Sequence, residues 1–288
     1  MKILRYFASI ILSFLIVIIV FLIIASNIFN SIILNKNYIL SKMEETEFNL
    51  QLSREVESGF ENYIYQSGLP KETITELFTE DMIKEDVNSL INALYEGTEI
   101  SLNEDLLREN LSKRIEEYII SENMNLNEQG KSNIKEFEDL IVNEYINNVN
   151  VSEELYIKGN TLIKQLQDVS NKVGNIPTVI LIVLIIILLL INITDLLVAV
   201  NFLGIAALTV GILLKAITNS IFTQIDIDNL VVLATSLSNL IITIIKENLY
   251  KLSDHGNVFI VCGIIGILIS ATIKNTTKKR KRLEINKL

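Results

Sequence analysis

The sequence predicts an all-α, polytopic membrane protein with four transmembrane helices and an extracytoplasmic helical bundle between the first and the second. Three observations carry this reading. Residues 178–214 form a run of thirty-seven in which Asp195 is the only charge. Further apolar runs cover Phe7–Ile24 and Val258–Ile273. Residues 35–176 are different in kind: they hold 13 Lys+Arg and 28 Asp+Glu, net −15, and their apolar positions recur at steps of three and four. The rest of the chain holds 12 and 6, net +6, so greasy and charged residues occupy separate segments.

The amino-terminal segment, 1–34, reads as a transmembrane anchor. Lys2 and Arg5 precede its apolar run, and basic residues in that place keep the start of a chain in the cytoplasm, delivering the residues after Leu34 to the outside. The run exceeds the apolar core of a signal peptide, and Ala25-Ser26-Asn27 is a poor small-residue cleavage site, so the anchor is expected to stay.

The acidic segment, 35–176, reads as five or six helices around one core, which 142 residues suffice to build. A helix over Tyr38–Gln66 puts Phe48, Leu52, Val56, Phe60 and Tyr63 on one stripe, and Gly68 with Pro70 ends it. Ile74, Leu77 and Phe78 mark a short helix. Ile83, Val87, Leu90, Ile91 and Leu94 mark a longer one ending at Gly97. Ser101-Leu102-Asn103-Glu104 has the form of a capping box and opens the stripe Leu107, Leu111, Ile115, Tyr118, Ile119. Two stripes remain: Ile134, Phe137, Leu140, Ile141 and Tyr145, then Leu162, Leu166, Val169 and Val173.

Residues 177–273 form the membrane domain. The run 178–214 is about 55 Å long as a helix, too long for a hydrocarbon core of about 30 Å. Asn192, Thr194 and Asp195 divide it into spans at about 178–193 and 196–214, with Pro177 tolerated in the first turn and Gly174 closing the helix before it. The last span is 258–273. The tail 274–288 is net +6 and is expected in the cytoplasm, so both ends lie there and the number of spans is even. Residues 230–245 therefore read as an interfacial or re-entrant helix, with Thr235, Asn239, Thr243 and Lys246 along one face.

Chemistry is harder to find. No phosphate loop, dinucleotide fingerprint or nucleophile elbow occurs, and the chain is expected not to be an enzyme and to need no cofactor. Cys262 is the only cysteine, and His255, the only histidine, reads as a turn residue. Asp226, Asp228 and Asn229 lack the glycine and distant glutamate of a calcium loop and read as a cap for the next helix, so neither catalytic nor metal-binding residues are assigned. A field this acidic repels nucleic acid.

Two groups of membrane residues are singled out. Asp195, Asn192 and Asn201 are polar in apolar surroundings, where such groups mark ion paths; the competing reading places Asp195 at a solvated turn and gives the two asparagines interhelical hydrogen bonds. Gly204, Ala207 and Gly211, and Cys262, Gly266 and Ser270, form small-residue faces that let helices approach closely, within one chain or between chains. Expected partners are other membrane proteins or a second copy, and membrane lipids near the basic tail. The many Ile, Asn, Lys and Glu residues, with no Trp, fit an AT-rich bacterial genome. The expected function is a non-enzymatic envelope protein whose outer domain senses or binds a protein and is coupled to a small membrane domain. The alternative is a small transporter or channel subunit acting as an oligomer, its polar lining drawn from Asn192, Asn201, Thr209 and Thr218.

Overall fold

The computed structural model describes residues 2–67, 69–74, 77–149, 153–230 and 234–285. The described residues form ten α-helices: α1 Lys2–Ile32, α2 Lys36–Glu45, α3 Phe48–Ser67, α4 Glu80–Glu96, α5 Glu104–Ser121, α6 Glu128–Val149, α7 Glu153–Val173, α8 Ile176–Ile191, α9 Leu196–Gln224 and α10 Thr235–Ile285. Four stretches are long and apolar enough to cross a membrane: Ile3–Ile32, Tyr156–Ile191, Leu196–Gln224 and Thr235–Thr276. The protein is thus all-α, with a large non-membrane helical segment between the first and second of them. The chain divides into two compact units, one of Met1–Ser31, Val169–Asn229 and Ile244–Leu288, the other of Ile32–Asp168 and Leu230–Thr243.

In the first unit the spanning helices share an apolar core of Ile16, Val17, Leu188, Val198, Phe202 and Val210. Outward-facing side chains such as Phe14, Val179, Ile182 and Val261 stay exposed, as lipid contact requires. The antiparallel pair α9 and α10 packs through glycines. A Cβ built on Gly211 would lie 2.7 Å from the Gly256 carbonyl oxygen, and one on Gly204 would lie 2.9 Å from that of Gly263. The same seven-residue step brings Ser270 Oγ to the Leu197 carbonyl, 2.7 Å away. Backbone-to-backbone contact of this kind is open only to glycine and is the main attraction available where lipid removes any hydrophobic drive.

In the second unit, α2–α7 and the start of α10 surround a core anchored by Phe60, Leu107, Leu111, Ile115, Ile141 and Tyr145. Phe78 stacks on Phe60 at 4.8 Å and on Tyr145 at 5.5 Å, joining α3, the α3–α4 link and α6.

Several expectations are corrected. The expected helix over 38–66 is two helices, because Thr46 and Glu47 (φ 51°) turn the chain between α2 and α3. Gly68, expected to end it, lies outside the described residues. The capping box does not form: α5 starts at Glu104 with Asn103 as its cap residue, held by a buried carboxylate from α4 instead of Ser101. Of the short helix expected at 74–78, residues 75 and 76 lie outside the described residues; a 3-10 turn over Lys71–Thr73 precedes it, and Ile74, Leu77 and Phe78 are buried as expected. The stripe of α7 is not core. Leu162, Val169 and Val173 are exposed, and Ile163 is the buried residue beside them.

The largest correction concerns the end of the chain. Residues 230–245 and 258–273 were expected as separate elements with His255 in the turn between them, yet α10 runs unbroken from Thr235 to Ile285, and His255 is an exposed helical residue. The polar stretch 246–257 contains no proline, and its one glycine, Gly256, costs a helix only about 1 kcal/mol, offset by its fit against Gly211. Likewise α9 continues ten residues past Leu214, with Thr218 buried and Phe222 against Tyr250 at 5.4 Å.

Candidate functional site

The most specific polar chemistry in the bundle lies where its helices hold the segments that lead to the spanning helices. A helix end leaves carbonyls without intrahelical partners, and the end of α4 meets that need with its own cap and with α7 on one side. Gly97, in the left-handed region at φ 75°, closes the helix by donating to the Ala93 carbonyl at 2.8 Å. Tyr156 Oη of α7 donates to the same carbonyl at 2.8 Å and to that of Thr98 at 3.1 Å, while Asn160 Nδ2 reaches the Leu94 carbonyl at 2.8 Å. From the other direction, Lys36 Nζ donates to Asn92 Oδ1 at 3.0 Å and pairs with Glu96. Tyr95 Oη donates to the Ile33 carbonyl at 2.7 Å, and burial pushes its phenol above the ordinary range. One helix end therefore grips both the chain leaving α1 and the helix entering α8.

A second clamp holds the start of α10. The Glu55 carboxylate of α3 accepts from the Ser236 backbone N–H at 2.9 Å and from its hydroxyl at 2.6 Å, doing from another helix what an N-cap side chain does locally. One turn along, Asn239 Nδ2 donates to Gln51 Oε1 at 2.7 Å. The first nine residues of α10 thus belong to the bundle, and the same helix continues as the last spanning element.

A third polar group centres on Asp86, fully buried on α4. Asn103 donates to its Oδ1 through the backbone at 2.8 Å and the side chain at 2.9 Å, and Tyr145 donates to Oδ2. Burial raises the Asp86 carboxyl above the usual range, against the lowering effect of these donors; burial and then Asp86 raise the Tyr145 phenol. The trio fixes α4, α5 and α6 to one another. Two shallow clefts flank α5, one beside Leu77 and Met82, the other beside Ile119 and Ile134, and their charged residues reach solvent.

The membrane residues singled out in the sequence divide clearly. Asn192 is fully buried; its Nδ2 donates to Ser9 Oγ and to the Leu188 carbonyl, both at 2.9 Å, so it ties α1 to the end of α8. Thr194 receives a hydrogen bond from Arg5. Asp195 is half-buried in the α8–α9 turn, and Asn201 is half-buried on α9. Of the small residues, Gly204, Gly211 and Gly266 lie in the α9–α10 contact and Ser270 bonds across it; Ala207 is half-buried and Cys262 is exposed. The sequence reading missed Gly256 and Gly263, which a search at steps of seven instead of four would have found. Asp226 accepts from Asn229 Nδ2 at 2.9 Å, and among the described residues it is Glu55 that holds the first turn of α10; the Asp228 side chain lies outside them. Among the described residues, no group of three His, Cys, Asp or Glu side chains is placed to hold a metal ion. Comparison with family models, curated proteins and solved structures finds no match.

Proposed function

We propose that this chain is a non-enzymatic envelope protein whose extracytoplasmic bundle binds or senses a protein partner and passes the change to its spanning helices. The observation that carries the proposal is the Glu55–Ser236 clamp: a helix held at its first turn by the bundle runs on into the membrane without a break. A movement of α3 relative to the rest of the bundle then acts directly on α10, and one of the α4 end acts on α1 and α8 through Lys36 and Tyr156. In this reading both termini are cytoplasmic and the output passes to another membrane protein or a second copy, as the basic tail and its alternation with four spans suggest.

The transport alternative needs polar side chains free to meet a solute. Ser13 Oγ donates to the Phe202 carbonyl at 2.9 Å, Thr218 Oγ1 to that of Leu214 at 2.9 Å and Ser270 Oγ to that of Leu197, bonds that support a packing role. The test is solute and ion flux in proteoliposomes. Wild type and Asp195→Asn are expected to be alike and close to protein-free vesicles; flux that Asp195→Asn changes while assembly stays intact overturns the proposal.

A further inference from the structure

Helix α7 carries an exposed apolar face beside lysines. Leu162 is 55 % exposed, Val169 57 % and Val173 39 %, with Leu166 half-buried among them. The steps of four, three and four put them on one stripe. At 100° per residue Lys158 and Lys172 fall on the edge of that stripe, and Asn171 on the opposite side. The charge is out of character with its surroundings: residues 156–173 hold three lysines and one aspartate, net +2, whereas residues 35–155 hold 10 Lys+Arg and 27 Asp+Glu, net −17.

We propose that this face of α7 docks on an anionic lipid surface, its stripe among the upper acyl chains and Lys172 at its edge on the phosphates. Charge favours that occupant. A second copy of the bundle would bring net −15 against net −15, whereas anionic headgroups attract the one basic helix and repel the rest of the domain, selecting the face. Continuity favours it too. Through Gly174 and Asn175 the helix passes directly into α8, where Ile176, Val179, Ile180 and Val183 are exposed on a spanning segment, so lipid already meets the chain at the end of the stripe. A lysine stem covers apolar surface while its ammonium group reaches the headgroups, which suits Lys172 beside Val173. The proposal does not depend on what the bundle senses.

The test uses the full chain with Cys262→Ser in nanodiscs, with an environment-sensitive dye at Leu166→Cys, at Val169→Cys as an independent second site, or at Asn171→Cys as the opposite-face control. Lipids carry a doxyl quencher near the headgroup. In discs of equal phosphatidylcholine and phosphatidylglycerol, quenching at the first two positions should exceed that at Asn171 severalfold. Replacing Lys172 by Gln should lower the ratio of lipid-bound to lipid-free helix about fivefold, and pure phosphatidylcholine should do the same. Equal quenching on both faces overturns the proposal, as does indifference to phosphatidylglycerol and to Lys172. A blue-shifted, unquenched dye whose signal grows with protein copies per disc assigns the face to a second copy and overturns it as well.

Discussion

Adding one methyl group to Gly263 should separate α9 from α10. Its Cβ would stand 2.5 Å from the Leu208 nitrogen, 2.7 Å from the Gly204 carbonyl oxygen and 2.8 Å from the Leu208 Cα. All three are backbone atoms, which cannot rotate away, and the nearest is about 1 Å inside van der Waals separation. Overpacking of this sort costs about 1–3 kcal/mol, while alanine in place of glycine returns about 1 kcal/mol of helix propensity. With three fixed backbone atoms this close the cost lies at the upper end, about 3 kcal/mol, so Gly263→Ala should lose about 2 kcal/mol, a factor of about 30 in the folded ratio. Gly266→Ala is the internal control: its Cβ would press on the Gly204 Cα at 3.3 Å and meet the Val200 carbonyl oxygen and the Gly204 nitrogen at the ordinary contact distances of 3.6 and 3.7 Å, so strain and propensity should nearly cancel. Gly59→Ala on α3, with nothing within 4 Å, should gain about 0.5–1 kcal/mol. Reversible unfolding in mixed micelles titrated with SDS, followed by circular dichroism, ranks the three. A Gly263→Ala protein as stable as wild type, or more stable than Gly266→Ala, would refute the close approach of these helices.

Two other outcomes are expected. Asp86 has its folded pKa raised, so the folded bundle binds this proton more tightly than the unfolded chain; the stability it adds is complete below the unfolded value near 3.9 and is lost as pH rises through the folded one. The stability of wild type relative to Asp86→Asn should accordingly fall as pH rises above the unfolded value of about 3.9 in urea melts, and a constant difference would contradict the buried carboxylate. Glu55→Ala should open the start of α10 by about 1 kcal/mol, the cost of a lost cap, seen as roughly fivefold faster hydrogen exchange over residues 235–243 with α5 unchanged; unaltered exchange there would remove the clamp.

By itself the sequence determined the helical class, the four apolar stretches, the acidic segment between the first two, the turn at Asn192–Asp195, and the end of α4 at Gly97, because each arises from local composition, spacing or a residue with special backbone freedom. It also pointed to Gly204, Gly211 and Gly266 as contact residues. Only the tertiary structure decided that 235–285 is one helix, since the gain that lets Gly256 stay helical comes from Gly211, forty-five positions away. It likewise decided that Asp86 and not Ser101 holds the start of α5, and that Glu55 caps α10 from across the bundle. Capping reads from sequence only when donor and acceptor are neighbours in the chain. The stripe of α7 shows the same boundary: Leu162, Leu166, Val169 and Val173 announce an amphipathic helix, but periodicity specifies that a face is apolar and leaves open what covers it. In this chain the stripes of α3, α4 and α5 are buried or half-buried among the described residues, and the α7 face remains exposed because Tyr156 and Asn160 fix that helix by its polar contacts to α4.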